Sequence, residues 1–261
     1  MADRFSAGVV DAVVARLRGA GCVFAEEEAA VLAASASWEG ELWELVERRA
    51  GGVPLEHAVG WAEFAGLRVA VAPGVFVPRR RTEFLVARAA ALLPGDKAVV
   101  VDLCCGSGAL GAALHAVRPS MELHACDIDP AAVACARGNV PGHVYEGDLF
   151  SPLPYGLRGR VNVLLANVPY VPSEEIPLLP SEARDHEARV ALDGGPDGLD
   201  VLRRVAAAAP DWLAPGGHVL VETSTRQSRA AKAVFTAHGL RVRVATSQAH
   251  AATVVTATHP D

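Results

Sequence analysis

No run of apolar residues approaches the roughly 20 needed to span a bilayer, so the sequence does not read as a membrane protein. Its opening stretch, 1–21, threads acids and arginines through the apolar positions and does not read as a signal peptide. Cysteine is scarce: the five are Cys22, Cys104, Cys105, Cys126 and Cys135. An odd count with two adjacent thiols argues against a disulfide framework. The absence of any C-x-x-C spacing argues against structural zinc. A reducing cytoplasm is the expected location. There is no excess of basic charge either, since 24 Lys+Arg face 30 Asp+Glu for a net charge of −6. That speaks against direct nucleic-acid binding, which usually needs a basic footprint, but not against a protein or small-molecule substrate. The nine histidines show no metal-ligand spacing, and His115, His124, His143 and His218, on predicted elements, are read as structural. No nucleophile elbow with a Ser-His-Asp order is present. Internal repeats and long low-complexity segments are missing, and 51% hydrophobic content excludes a disordered chain.

What remains is a chain of 261 residues with room for one or two domains. Val9, Val10, Val13, Val14 and Leu17 recur at helical spacing, and Gly19 and Gly21 end the run. Three carboxylates, Glu26 to Glu28, suit the positive N-terminal end of a second helix. A third helix runs over about 39–49, with Leu42, Trp43, Leu45 and Val46 on one face and Glu44 placed to pair with Arg48. Trp38 and Trp43 are expected in the core. Apolar residues then alternate around Gly66 over 61–71, which predicts a β-hairpin. Pro73-Gly74 makes a turn, and 75–78 leads into Arg79-Arg80-Arg81. The expected domains are a helical unit over 1–53, a hairpin linker over 54–78 and a larger unit over 79–261.

From Lys97 onward, strands alternate with helices. Strands are predicted at 98–103, 121–126, 143–146, 161–166 and 218–222, and two more at 240–245 and 252–258, joined by a polar turn. A helix opens at Pro130 with Asp129 as N-cap, and another covers 201–213. Alternation of this kind implies α/β architecture: a doubly wound, mostly parallel sheet with helices on both faces.

Ligands in such sheets bind beyond the carboxyl ends of the strands. Four segments fall there. Asp102-Leu103-Cys104-Cys105-Gly106-Ser107-Gly108 is a glycine-rich turn between strand and helix, where the backbone can approach a ligand closely. Asp127-Ile128, nineteen residues after Gly108, offers a carboxylate for ribose hydroxyls. The glycine spacing does not match the dinucleotide fingerprint, which weakens an NAD reading. Gly147-Asp148-Leu149-Phe150 places a carboxylate within reach of an adenine amino group, with Leu149 and Phe150 beside the ring. Asn167-Val168-Pro169-Tyr170 follows the fourth strand.

Together these segments resemble the HemK/PrmC family of class I S-adenosylmethionine-dependent methyltransferases, the protein N(5)-glutamine methyltransferases that modify peptide chain release factors. The resemblance spans about 54–261. It includes 73–79 with Thr82-Glu83, the glycine turn, 127–130, 147–150, 191–200 and 213–217. It implies a Rossmann-like sheet with an antiparallel C-terminal strand, S-adenosylmethionine as cofactor, and a glutamine-bearing loop of a protein, such as a release factor, as acceptor. It also implies that Arg79 and Thr82 help form the pocket, and that the N-terminal helices recognise the partner. The chain departs from the family pattern at Val168 (proline), at Cys104 (glycine), at Arg80-Arg81 (Pro-Glu) and after Glu187 (proline). Arg80 and Arg81 are read as surface residues.

An amide nitrogen is a poor nucleophile, because its lone pair is delocalised into the carbonyl. The enzyme must hold it in line with the methyl carbon and favour its pyramidal form. The Asn167 side-chain oxygen and the Val168 backbone carbonyl would accept its two N–H bonds as positive charge develops. Pro169 keeps residue 168 extended, and Tyr170 would cover the planar amide. Two other readings compete: an N-methyltransferase for a small molecule or an exocyclic base amine, and a non-catalytic nucleotide-binding protein. Methyl transfer to a panel of proteins, metabolites and RNA separates them.

Overall fold

A computed structural model describes residues 4–95 and 97–260. The chain opens with α1 (Ala7–Gly19), α2 (Ala25–Ser35) and α3 (Glu39–Ala50). They close on one another around Leu17, Leu32, Leu42 and Val46. Ser6 caps α1 by accepting from the Val9 N–H. A short α4 (Leu55–Val59), not anticipated from the sequence, leads to the hairpin of β1 (Trp61–Phe64) and β2 (Leu67–Ala70). Its two-residue turn has φ +50° at Ala65 and +75° at Gly66, the left-handed pair that matches strand twist.

Two expectations for the N-terminal helices fail. Trp38 is 61% exposed rather than in the core, whereas Trp43 packs against the helical cluster. Trp38 precedes α3 in extended geometry, so helical periodicity does not govern where its ring points. Arg48 does not turn to Glu44. It donates to the carbonyls of His57 and Ala58 at 2.9 and 3.0 Å, because carbonyls at the end of α4 lie within reach of its fork.

After α5 (Glu83–Ala90) the alternation begins: β3 (Val99–Leu103), α6 (Ala109–Val117), β4 (Glu122–Asp127), α7 (Pro130–Asn139), β5 (His143–Glu146), β6 (Val161–Ala166). Then follow α8 (Ser181–His186), α9 (Asp200–Trp212), β7 (Leu213–Thr223), α10 (Ser228–Ala237), β8 (Arg241–Ser247) and β9 (Ala252–Thr258). Neither α5, α8 nor α10 was read from the sequence. The seven-stranded sheet has the order β5-β4-β3-β6-β7-β9-β8. Its members are parallel from β5 to β7, and β9 is antiparallel to both neighbours. This is the class I methyltransferase architecture.

Residue period two in β3 builds the two sides of the core. Val99, Val101 and Leu103 face one layer with Leu202, Val205 and Ala209 of α9. Val100 faces the other with Leu85 of α5 and Leu110 and Leu114 of α6. Covering both faces is what makes a near-continuous apolar strand stable. Strand order reverses between β3 and β6, and a crevice opens beyond their carboxyl ends. Among the described residues, no helix is long and apolar enough to cross a membrane.

Candidate functional site

The loops after β3, β4, β5 and β6 converge on one cavity of about 450 Å³, within the range of small-molecule sites. Cys104, Cys105, Gly106, Ser107, Asp127, Ile128, Asp148, Leu149 and Asn167 to Tyr170 all line it, as do Arg79 and Thr82 from the segment before α5. Three predicted contacts fall elsewhere. Asp102 is buried beneath the loop, where its Oδ2 accepts the Gly111 N–H of α6 at 2.9 Å. Gly108 turns away from the cavity: a Cβ there would lie 2.4 Å from Val140. Its glycine permits close packing of α6 on α7, not ligand approach. Phe150 is also not beside the cavity; it stacks on Trp212 with ring centroids 5.3 Å apart.

The rim is built under local strain. Cys104 and Leu149 have φ of +54° and +49°, and both line the cavity. Non-glycine residues in this region cost of order 1–3 kcal/mol and persist where the surroundings overdetermine them. At Gly106 φ is +55°, and the place a Cβ would occupy has no atom within 4 Å. Asp127 joins two of the loops. Its Oδ2 accepts the Gly106 N–H at 2.8 Å and its Oδ1 the Asp129 N–H at 3.0 Å. Burial pushes its carboxyl up, opposed by these backbone donors. Asp129 caps α7 through the Ala131 N–H at 2.9 Å. Asp148 is ion-paired with Arg204 of α9 across the rim.

At the end of β6, the Asn167 Oδ1 is buried and has no hydrogen-bond partner. An acceptor left in this state costs about 1–3 kcal/mol, so it marks either strain or a place for a ligand donor. Val168 is packed in the core behind it, and Pro169 and Tyr170 complete the turn.

The comparisons fit this geometry. Residues 66–178 match the methyltransferase small domain family. A release factor glutamine methyltransferase of Mycolicibacterium smegmatis is 43% identical over 201 residues, covering 75% of this chain and 70% of that one. Its counterpart in Geobacter sulfurreducens is 38% identical over 200 residues, covering 75% of this chain and 69% of its own. The chain belongs to the release factor glutamine methyltransferase family. A solved methyltransferase of Pyrococcus furiosus shares the fold at a TM-score of 0.57 and 15% identity, covering 86% of this chain and all of that one (100%).

In this methyltransferase several supporting residues escaped the sequence reading. The Asn139 carboxamide bonds the Ala70 N–H and carbonyl of the hairpin and the Ser107 carbonyl of the cavity loop, each at 2.9 Å. The stretch 194–198 is glycine-rich because it lies against the Asn167–Tyr170 turn. A Cβ at Gly194 would sit 2.7 Å from the Pro169 carbonyl oxygen, and one at Gly198 would sit 2.3 Å from that of Tyr170. Glu187 is buried and accepts from Val77 N–H and Arg79. Arg81 is not a free surface residue: it lines the cavity and bonds Glu222 and Tyr170. Arg80 is exposed. The only possible sequence signals were the glycine spacing and a charged residue, Glu222, in an otherwise apolar strand.

Proposed function

We propose that this methyltransferase moves the methyl group of S-adenosylmethionine to the side-chain amide nitrogen of a glutamine in a protein, and that the protein is a peptide chain release factor. The observation that carries the reading is the buried, unpartnered Oδ1 of Asn167 at the edge of the cavity. Both curated relatives described above bear the name of that activity.

The residues present suit the cofactor. Gly106 offers open backbone, and the Asp127 and Asp148 carboxylates stand at the ends of adjacent strands. When bound, S-adenosylmethionine supplies an electrophilic methyl on a positively charged sulfur. In this reading Asp127 receives ribose hydroxyls and Asp148 an adenine amino group, while Cys104 to Ser107, Ile128 and Leu149 give the surrounding wall. Arg79 and Thr82 shape the opposite side.

Asn167 accepts one N–H of the glutamine amide through Oδ1, and the Val168 carbonyl accepts the other. Both acceptors favour the nitrogen as it gains positive charge and becomes pyramidal, which is selective stabilisation of the transition state. Valine in place of the family's proline leaves the backbone carbonyl in place, and Pro169 restrains it. As the N–C bond forms, the methyl–sulfur bond would break with its electron pair leaving on sulfur as a neutral thioether, and the amide nitrogen would give up one proton to solvent. Helices over 1–53 serve acceptor recognition, and the unpaired thiols suit a reducing cytoplasm.

The test is transfer of labelled methyl from S-adenosylmethionine to an unmodified release factor, set beside metabolites and RNA. Label on a glutamine of the factor is expected. Label only on a metabolite or on RNA refutes the acceptor assignment.

A further inference from the structure

The Asn167 Oδ1 has no partner within the protein, so it is not held in place by a hydrogen bond of its own. Its turn is held instead at Tyr170, from several directions. The Tyr170 hydroxyl donates to Glu222 Oε1 at 3.0 Å and accepts from Arg81 Nη2 at 2.7 Å. Arg81 Nε donates to the same Glu222 oxygen at 2.9 Å, closing a three-membered ring of contacts. On the backbone side, Gln227 Nε2 donates to the Tyr170 carbonyl at 2.9 Å.

Glu222 is well suited to anchor the turn. Its side chain is 3% exposed, and it belongs to β7 between β6 and β9. Ala166, the last residue of β6, pairs with Val221, so Glu222 stands level with the start of the turn at Asn167. Across the other edge it pairs with Val254. One of its carboxylate oxygens takes both donors, and the other, Oε2, is buried without a partner. Arg81 and Tyr170 therefore supply the side-chain bonds that orient this carboxylate. Arg81 also brings the compensating charge that a buried carboxylate requires, and it does so from the wall of the cavity.

We infer that Arg81 and Glu222 are positioning residues for methyl transfer: they set the orientation of the Asn167–Tyr170 turn through the Tyr170 hydroxyl. The inference rests on the amide-methylation reading for what the turn does. The ring itself is independent of that reading. A guanidinium bonded through Nε to the strand carboxylate and through Nη2 to the Tyr170 hydroxyl transmits the geometry of the sheet to the acceptor pair. Lysine, with a compact ammonium on a flexible stem, reproduces its charge but not its fork. Misplacement of an acceptor by about 1 Å reduces turnover on the order of 100-fold.

The test compares Arg81→Ala, Arg81→Lys, Tyr170→Phe and the double variant Arg81→Ala/Tyr170→Phe. Three quantities are read: kcat for methylation of the release factor, Kd for S-adenosylmethionine by calorimetry, and hydrogen–deuterium exchange over 166–172 in the protein without ligand. Each alanine or phenylalanine change is expected to lower kcat by about 10- to 100-fold, with Kd held within about twofold and faster exchange confined to the turn. The double variant should fall no further than the worse single one, because both changes break one ring. Arg81→Lys should recover part of the loss.

Unchanged kcat and exchange in Arg81→Ala overturn the inference. So do losses that multiply in the double variant, or a loss that lies wholly in Kd. Absence of transfer by the wild-type protein to any glutamine acceptor defeats the methylation reading instead. The exchange measurement then still decides whether the ring holds the turn. Arg81 is half-exposed, so its variants are expected to fold.

Discussion

Arg79 donates through one terminal nitrogen to both carboxylate oxygens of Glu187, at 2.6 and 2.7 Å, across 108 positions of chain. The pair ties the segment entering α5 to the segment that precedes the 194–198 glycine stretch. Glu187 is 1% exposed and Arg79 32%, so the partners are not equivalent. Burial pushes the Glu187 carboxyl up, while Arg79 and the Val77 N–H hold it down. Arg79→Ala strands a buried carboxylate and is expected to cost about 3 kcal/mol. Glu187→Gln keeps an acceptor for Val77 and leaves Arg79 a route to water, and should cost about 1 kcal/mol. Urea unfolding at neutral pH measures both; equal losses would contradict the asymmetry.

Asn167→Ala removes the side-chain acceptor while leaving the Val168 carbonyl. Turnover should fall by about 10²- to 10³-fold, as for loss of one oxyanion-hole donor. Affinity for S-adenosylmethionine should stay within a few-fold. Single-turnover methylation with calorimetry provides the check, and wild-type turnover in the variant would remove Asn167 from the chemistry.

Asp127→Ala acts on binding instead. Cofactor affinity is expected to drop by roughly 1–3 kcal/mol. Because Asp127 also receives the Gly106 and Asp129 N–H groups, the melting temperature should fall as well. Unchanged affinity in a titration would count against its ribose role.

Asp102 carries a pH signature. Burial raises its carboxyl from 3.8 to about 7, with the Gly111 N–H opposing. A pKa raised on folding means that the native state holds the proton more tightly than the unfolded chain. The stabilising contribution is complete below the unfolded value and is lost as pH rises through about 7. That interval is worth at most about 4 kcal/mol. Asp102→Asn should therefore gain on the wild-type protein between pH 4 and 7, roughly. Paired urea titrations across that range give the difference, and parallel stability curves would refute the assignment.

Cys104 tests strain at the cavity. At φ +54° a β-branched side chain is disfavoured far more than glycine. Cys104→Val should destabilise by about 2 kcal/mol, and Cys104→Gly by no more than about 0.5 kcal/mol. Thermal unfolding separates the two. The positive φ also gives a physical reason why a glycine suits this position.

Much of the sheet was legible because its signals are local. Short β-branched runs, the Gly66 turn and the Asp129-Pro130 cap each declare themselves within a few residues. The helices that escaped notice are short and have no side-chain cap to announce them, and α10 buries just Ala231 and Phe235 as core anchors. The strand read as 218–222 begins at Leu213, because the chain passes through Pro215-Gly216-Gly217 with a shift of register against β6.

By itself, the amino-acid sequence determined the alternation of strand and helix, the family, and the loops that carry Gly106, Asp127, Asp148 and Asn167. The alternation and the loops follow from side-chain shape and backbone preference over neighbouring positions, and the family from the resemblance of the motifs. Only the tertiary structure decided that Asp102 and Gly108 serve packing and that Phe150 goes to Trp212. It also decided that Arg79 and Arg81 are committed to Glu187 and Glu222. A charged side chain takes the partner that desolvation and distance leave to it, and those partners stand 108 and 141 positions away, where no local pattern reaches.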